Sequence, residues 1–251
     1  MFYYLTFFVI GLFFGSFLNV VIYRFPGMKD IFIGRSYCPK CKKTIATYDL
    51  IPLFSYLILS GKCRSCGKPI SIQYPLVEII TGLLFALSYY ISGFSFSLIF
   101  YLPIFMLLIL IFSYDLKHLE IPEVFSWLFL ALAILAGLFA NIYSINNFLL
   151  GGLVGGGILG ILVGISEERW MGSGDIKIGL GFGFLLGYPR ALLFLFLSFI
   201  IGALWGVFLI LLKKGKLKSQ VPFAPFLIIS ALITLIFGQE LIDLYLNFVI
   251  M

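Results

Sequence analysis

The chain is short of charge. Only 11% of its 251 residues are Asp, Glu, Lys or Arg, against 62% that are hydrophobic. A soluble domain of this length carries about twice that charge. This excludes an ordinary water-soluble protein and predicts an integral membrane protein, with much of its apolar surface facing lipid. Basic residues ahead of the first apolar run are also missing. Arg24 follows that run instead, which argues against a signal peptide and makes residues 1–23 the first transmembrane helix.

Other absences narrow the function. No basic groove interleaved with aromatics is present, so no nucleic-acid partner is expected. The cluster Gly151-Gly-Leu-Val-Gly-Gly-Gly157 has no strand before it and no Lys-Ser/Thr after it. It is therefore not a phosphate loop; together with Gly160 it predicts a smooth helix face for close packing. No tandem repeat is evident beyond a local echo, Asp115-Leu-Lys117 and Asp175-Ile-Lys177.

What charge there is sits in clusters, and the clusters set a topology. More than half of the 17 Lys and Arg residues fall between Arg24 and Lys68, with a second group in Lys213-Lys-Gly-Lys-Leu-Lys218. Apolar runs cover residues 1–23, 74–91, 96–114, 122–140, 147–165, 178–187, 191–212 and 223–247. The run 178–187 is short: ten to twelve helical residues reach about 15–18 Å, against a hydrocarbon core of roughly 30 Å. If it crosses nonetheless, the basic loops 24–73, 115–121, 166–177 and 213–222 all face one side, which is the cytoplasm by the positive-inside rule. Only Arg190 then faces the other side, and both termini are external. The expected fold is an all-α polytopic membrane protein of about eight transmembrane helices, the sixth short, with a small cytoplasmic loop domain. Its parts are a first helix 1–23, a cytoplasmic domain 24–73 and a seven-helix membrane domain 74–251. Gly11 and Gly15 have the spacing of a helix contact, with Ser16 and Asn19 one turn apart beside them. Pro122 suits the first turn of its helix.

Two sets of residues carry chemistry. Cys38-Pro-Lys-Cys41 and Cys63-Arg-Ser-Cys66 are separated by 21 residues and lie in the most basic loop. A cytoplasmic loop is reducing, so thiolate ligation is favoured over disulfides. The spacing predicts a closed, structural tetra-thiolate zinc site; unligated thiols or a redox pair are the alternatives it leaves. With sulfur at all four positions, a catalytic zinc is not expected. The second set is Asp115, in Tyr114-Asp-Leu-Lys117, and Asp175, in Met171-Gly-Ser-Gly-Asp175-Ile-Lys177. Both stand where a polar loop meets an apolar span, at matching depth. Carboxylates in or near a membrane usually mark function or a partner. Two carboxylates brought close share one proton and can activate water for attack on a peptide carbonyl. Gly172 and Gly174 would let backbone, or an extended substrate strand, come near. Lys117 and Lys177 are expected to be interfacial anchors, and His118 an interfacial residue within reach of the site. A transporter, with the aspartates binding protons or ions along a path, is the competing class; it predicts carboxylates spread through the membrane depth. A zinc-stabilised scaffold is another, and leaves the aspartates without a task.

The same residues, in order, give the chain a resemblance to the type IV prepilin leader peptidases, which are membrane aspartic proteases. The shared pattern runs nearly end to end: Gly15-Ser-Phe-Leu-Asn19 with Arg24 and Pro26; Cys38 and Cys41; Tyr48-Asp-Leu-Ile-Pro52 with Ser55; Cys63 and Cys66; Tyr74-Pro-Leu-Val-Glu78; Asp115 with Ile121-Pro122; Gly172-Ser-Gly-Asp175; and Val221-Pro-Phe-Ala-Pro225-Phe. Ala224 departs from the glycine usual there, with little consequence expected. The Gly-x-Gly-Asp element alone would also fit other intramembrane proteases of that type. The resemblance implies that Asp115 and Asp175 are the catalytic aspartates and that the chain lies in a bacterial inner membrane with its site at the cytoplasmic face. It implies prepilin or pseudopilin substrates whose basic leader is cut after a glycine. It further implies S-adenosylmethionine-dependent methylation of the new N-terminal residue. No nucleotide-binding motif identifies residues for that methyl donor. Because the leader is basic, Glu120, Glu123, Glu167 and Glu168, in the loops beside the aspartates, are expected to help dock it; solvated surface acids are the plainer reading.

Overall fold

The computed structural model describes residues 1–25, 34–139, 144–212 and 221–250. The Lys213–Lys218 cluster and Pro26 lie outside the described residues. Among those described, nine α-helices follow one another: α1 Phe2–Arg24, α2 Phe54–Ile58, α3 Gln73–Ser92, α4 Leu98–His118, α5 Glu123–Phe139, α6 Ile145–Ser166, α7 Ser173–Leu186, α8 Arg190–Leu211 and α9 Ala224–Ile250. A 3-10 turn, Thr47–Leu50, precedes α2. The described residues form no strand beyond the isolated bridges Tyr37–Thr44 and Lys62–Pro69. Helices are the physical answer to such apolar runs, because a helix satisfies its backbone N–H and C=O groups within one segment where no water is available.

Six helices (α1, α3, α4, α6, α8 and α9) are long and apolar enough to cross a membrane, and α5 is a shorter apolar helix. This is the architecture of a multi-pass membrane protein. Large apolar side chains such as Phe13, Leu83, Leu153 and Leu204 stand exposed on these helices, where acyl chains would cover them. Polar side chains turned inward are absorbed by their own helices. Thr81 donates to the Val77 carbonyl and Ser88 to that of Leu84, at 2.6 and 2.9 Å.

Helix ends depart from the hydropathy pattern in a way that matters for function. The run expected at 178–187 begins at Ser173, and α7 has 14 residues. Asp175 is thus in the first turn of α7 and not in a preceding loop. The run expected at 96–114 continues to His118, which places Asp115 inside the last turn of α4. Hydropathy trims helix ends because terminal turns carry polar groups; the backbone hydrogen bonds continue through them. Pro122 also shifts by one position. Its carbonyl accepts the N–H of Ser126 at 3.2 Å, so it caps α5 from just outside the first turn.

Two compact units divide the chain, Met1–Leu110 and Ile111–Met251, with the boundary inside α4. In the first, α1 packs along α3. A Cβ on Gly11 would lie 2.7 Å from Gly82 Cα, and one on Gly15 2.7 Å from Glu78 Cα. The Gly11/Gly15 spacing is therefore a helix contact. In the second unit α7 is the hub and packs against α5, α6, α8 and α9. The α6 glycines bring it in: a Cβ on Gly155 would sit 2.3 Å from the Gly179 carbonyl oxygen, and one on Gly151 2.4 Å from that of Gly183. Since backbone is the obstacle, no rotamer change relieves a substitution. Gly155→Ala should destabilise the α6–α7 pair by about 1–3 kcal/mol or more, read as a lowered Tm of the detergent-solubilised protein. Gly160→Ala, whose Cβ would meet nothing within 4 Å, should leave Tm unchanged.

Candidate functional site

The four cysteines are brought together by two matching knuckles. In the first, the Cys38 N–H donates to Lys43 O at 2.9 Å and the Lys42 N–H to Cys38 O at 2.8 Å; in the second, Cys63 and Lys68, then Gly67 and Cys63, repeat both bonds at 2.9 Å. Lys42 and Gly67 occupy the same step of each knuckle, with φ of 62° and 66°. Glycine takes this conformation without a Cβ penalty, while Lys42 is held in it. Bidentate hydrogen bonds from Arg64 to Asp49, at 2.8 and 2.9 Å, tie the second knuckle to the 3-10 turn. Arg64 holds the Asp49 carboxyl below its ordinary range. The pair therefore supports the cysteine-bearing arm, residues 36–70, above an unfolded carboxyl value of about 3.9, and that support is lost as pH falls through the lower folded value.

All four Sγ atoms lie within 4.8 Å of one another. Tetrahedral zinc, with Zn–S of about 2.3 Å, sets sulfurs about 3.8 Å apart, so the cluster has the size and donor chemistry of a tetra-thiolate site and could hold zinc. The thiols cannot all ionise unaided. The Cys41 amide draws Cys38 down to about 7. At Cys66 the Lys68 amide acts in the same sense, but burial and the three neighbouring thiols outweigh it and push the group up to about 11. A divalent cation resolves that conflict by taking four thiolates at once.

Both aspartates lie inside the unit Ile111–Met251. Asp115 is 4% and Asp175 5% exposed, both far below what carboxylates normally tolerate. Asp115, on the last turn of α4, accepts the backbone N–H of Ala224 at 3.0 Å. Ala224 is the first residue of α9, so this N–H has no intrahelical partner and is free for Asp115. Asp175 accepts the N–H of Gly172 at 3.1 Å and so caps the helix on which it sits. Its second oxygen, Oδ1, is buried without a partner. The charge of Asp115 reaches Asp175, so the two carboxylates share one neighbourhood. Gly174 packs on Ile121, with a Cβ there falling 3.0 Å from the Ile121 side chain. Its smallness thus serves a contact within the protein, whereas Gly172 is exposed, and a Cβ there would meet only the Gly174 backbone nitrogen, at 3.9 Å.

Several neighbours have tasks different from those expected. Lys177 pairs with Glu123 and lies 4.8 Å from the centroid of the Trp127 ring, so it joins α7 to α5 and is no free anchor. Glu123 is thereby engaged, and Glu167 pairs with Arg169; of the four acids expected to dock a basic leader, two already have cationic partners. His118 packs against Tyr114, ring centroids 4.4 Å apart and planes tilted by 33°, and is exposed, as is Lys117. The Ala224 amide is the contact that sequence reasoning missed. Its signal was the proline-flanked start of the last span, and a backbone donor is supplied equally by alanine or glycine. Ala224→Pro deletes the donor at the first position of α9, where proline suits a helix. Losing one buried bond to a charged group, about 1.5–3 kcal/mol, should lower the Tm of the variant with helix content preserved, measured by thermal unfolding and circular dichroism.

Comparison with known proteins gives consistent matches. Residues 9–92 match the Bacterial Peptidase A24 N-terminal domain and residues 102–207 the Type IV leader peptidase family. The chain is 32% identical over 240 residues to a prepilin leader peptidase/N-methyltransferase of Bacillus subtilis, covering 96% of each chain. It is 30% identical over 267 residues to the protein of that name from Pseudomonas aeruginosa, covering 96% of this chain and 92% of the relative. A Xanthomonas campestris relative of the same name is 31% identical, with 95% and 93% covered. No solved structure matches the chain.

Proposed function

The chain belongs to the type IV leader peptidase family, and from this we propose that it is a membrane aspartic endopeptidase that removes the basic leader of prepilins or pseudopilins and then N-methylates the new N-terminus. The observation that carries the proteolytic half is the buried pair Asp115 and Asp175, each held by one backbone N–H, with the charge of Asp115 felt at Asp175. The pair holds one proton between its two carboxyls. The ionised carboxylate takes a proton from a water molecule as the water oxygen attacks the scissile carbonyl carbon. The protonated aspartic acid gives its proton to the carbonyl oxygen. Collapse of the tetrahedral intermediate breaks the C–N bond: the carboxyl protonated in the first step delivers its proton to the departing nitrogen, and the other carboxylate takes back one hydroxyl proton, restoring the shared proton. Asp175 Oδ1, which lacks a protein donor, is the oxygen best placed to hold the attacking water.

Cys38, Cys41, Cys63 and Cys66 would hold structural zinc, which shapes the arm and takes no part in the bond-breaking steps. S-adenosylmethionine supplies the methyl group when bound. Both buried carboxylates lie in one unit and the charge of Asp115 is felt at Asp175, which supports a paired site over a transport path. The enzyme would act in the bacterial cytoplasmic membrane with its aspartates at the cytoplasmic face. Co-expression with a prepilin, followed by mass spectrometry of the product, tests both activities: the expected product has lost its leader and gained one methyl group on its first residue. An unprocessed pilin refutes the proteolytic reading, and a cleaved but unmethylated one refutes the second activity.

A further inference from the structure

One buried carboxylate takes no part in this cleavage chemistry. Glu78 lies in the second turn of α3, in the unit Met1–Leu110, and is 7% exposed. Its Oε2 accepts the N–H of Leu53 at 2.9 Å, with the Ser16 side chain beside it. Among the described residues no Lys or Arg pairs with it. An ionisable group at such a site ordinarily has a partner of opposite charge. The Leu53 donor is held at a strained position, φ 60° and ψ −50°, a conformation rare for a branched side chain. On the facing side of α1, Asn19 is 3% exposed. Its Nδ2 donates to the carbonyls of Gly15 and Tyr74 at 3.2 and 3.1 Å, while Oδ1 is buried with no donor. The α1–α3 face thus holds a carboxyl group with no Lys or Arg partner among the described residues and an orphaned acceptor oxygen. Both call for a cation rich in N–H groups.

We propose that Glu78 and the Asn19 Oδ1 receive the free N-terminal ammonium of the processed substrate, and that Glu78 is the base for its methylation. The assignment rests on the N-methyltransferase reading above. A primary ammonium carries three N–H donors. It can replace Leu53 on Glu78, letting the strained turn relax, and can supply Asn19 Oδ1 with the donor it lacks. An ammonium is not a nucleophile, so one proton must leave before the methyl arrives. Glu78 takes that proton; the freed nitrogen lone pair forms the N–C bond to the methyl of S-adenosylmethionine, and the electrons of the broken S–C bond stay on sulfur. The product is a secondary ammonium and a neutral thioether, and Glu78 returns its proton to solvent.

The test uses the full-length protein, a prepilin peptide, and the Glu78→Gln variant. Glutamine keeps a carbonyl oxygen for Leu53 and the neutral shape of the site, but it cannot take the proton. Leader cleavage should be retained while methylated product, counted by mass spectrometry, falls about 100-fold. A second readout is binding: wild type should prefer the processed peptide with a free amine over its N-acetylated form by about tenfold, and the variant should lose that preference. If wild type methylates and Glu78→Gln does so equally well, this assignment falls and the methyltransferase reading stands. If Glu78→Gln loses cleavage together with methylation, Glu78 is structural and the assignment falls. If wild type cleaves but never methylates, the parent reading fails and takes this one with it.

Discussion

Asp115→Asn and Asp175→Asn are each expected to reduce leader cleavage by about three to four orders of magnitude, with the protein still folded in the membrane. The amide keeps the carbonyl oxygen that accepts from Ala224 at position 115 or from Gly172 at position 175, so the local cap and helix end survive. What disappears is the ability to pass a proton between water, carbonyl and leaving nitrogen, and groups that act as a unit lose most of their effect when either is removed. The double variant should therefore be no slower than the worse single one. Cleavage is read as the mobility shift of a co-expressed prepilin, with thermal unfolding as the control for folding. Processing retained in either single variant would end the dyad assignment.

The second large effect concerns the cysteine arm. Chelation, or Cys63→Ser, is expected to unfold residues 36–70 while leaving the membrane helices helical. Beyond its knuckle bonds, the Arg64–Asp49 pair and the hydrogen bonds of Leu53 and Ser55, this segment is held by little apolar burial: Tyr48, Ile51, Phe54, Leu57 and Ile58 are all exposed. A structural tetra-thiolate zinc contributes an apparent 10–16 kcal/mol at neutral pH, more than so short a segment gains from burial. Metal analysis should give one zinc per chain for wild type and loss of it in the variant, and limited proteolysis should begin to cut within the arm. A metal-free protein that resists proteolysis as well as wild type would sink this account. The pH dependence has a definite sign: zinc holds thiolates, so acid releases it as protons compete for sulfur.

Much of the architecture was legible in the sequence because membrane insertion depends on composition over long windows. The apolar runs gave the order of helices α1 and α3 to α9, and paired Cys-x-x-Cys motifs gave the sulfur cluster, whose spacing is itself the local geometry of a knuckle. The helix limits at Asp115 and Asp175 were misjudged for the opposite reason. Whether a polar residue belongs to a helix is decided by single hydrogen bonds, such as that from Gly172 to the Asp175 carboxylate, which hydropathy does not register. The ion pair at Glu123 was out of reach of the sequence for a similar reason. Nothing in the chain order announces that Lys177 will reach across to Glu123, 54 positions away.

At Asp175 the division between the two sources is plain. The sequence by itself determined that a carboxylate would stand behind two glycines at the edge of an apolar segment, because residue identity and hydropathy are one-dimensional properties. Only the tertiary structure decided that Asp175 caps its own helix, leaves Oδ1 without a donor and feels the charge of Asp115, and that Asp115 is held by an amide 109 positions further along the chain. Those facts depend on which helices pack against α7. The packing follows from glycine backbones on α6 and α7 approaching where any side chain would collide, a condition of shape that exists only once the helices are side by side.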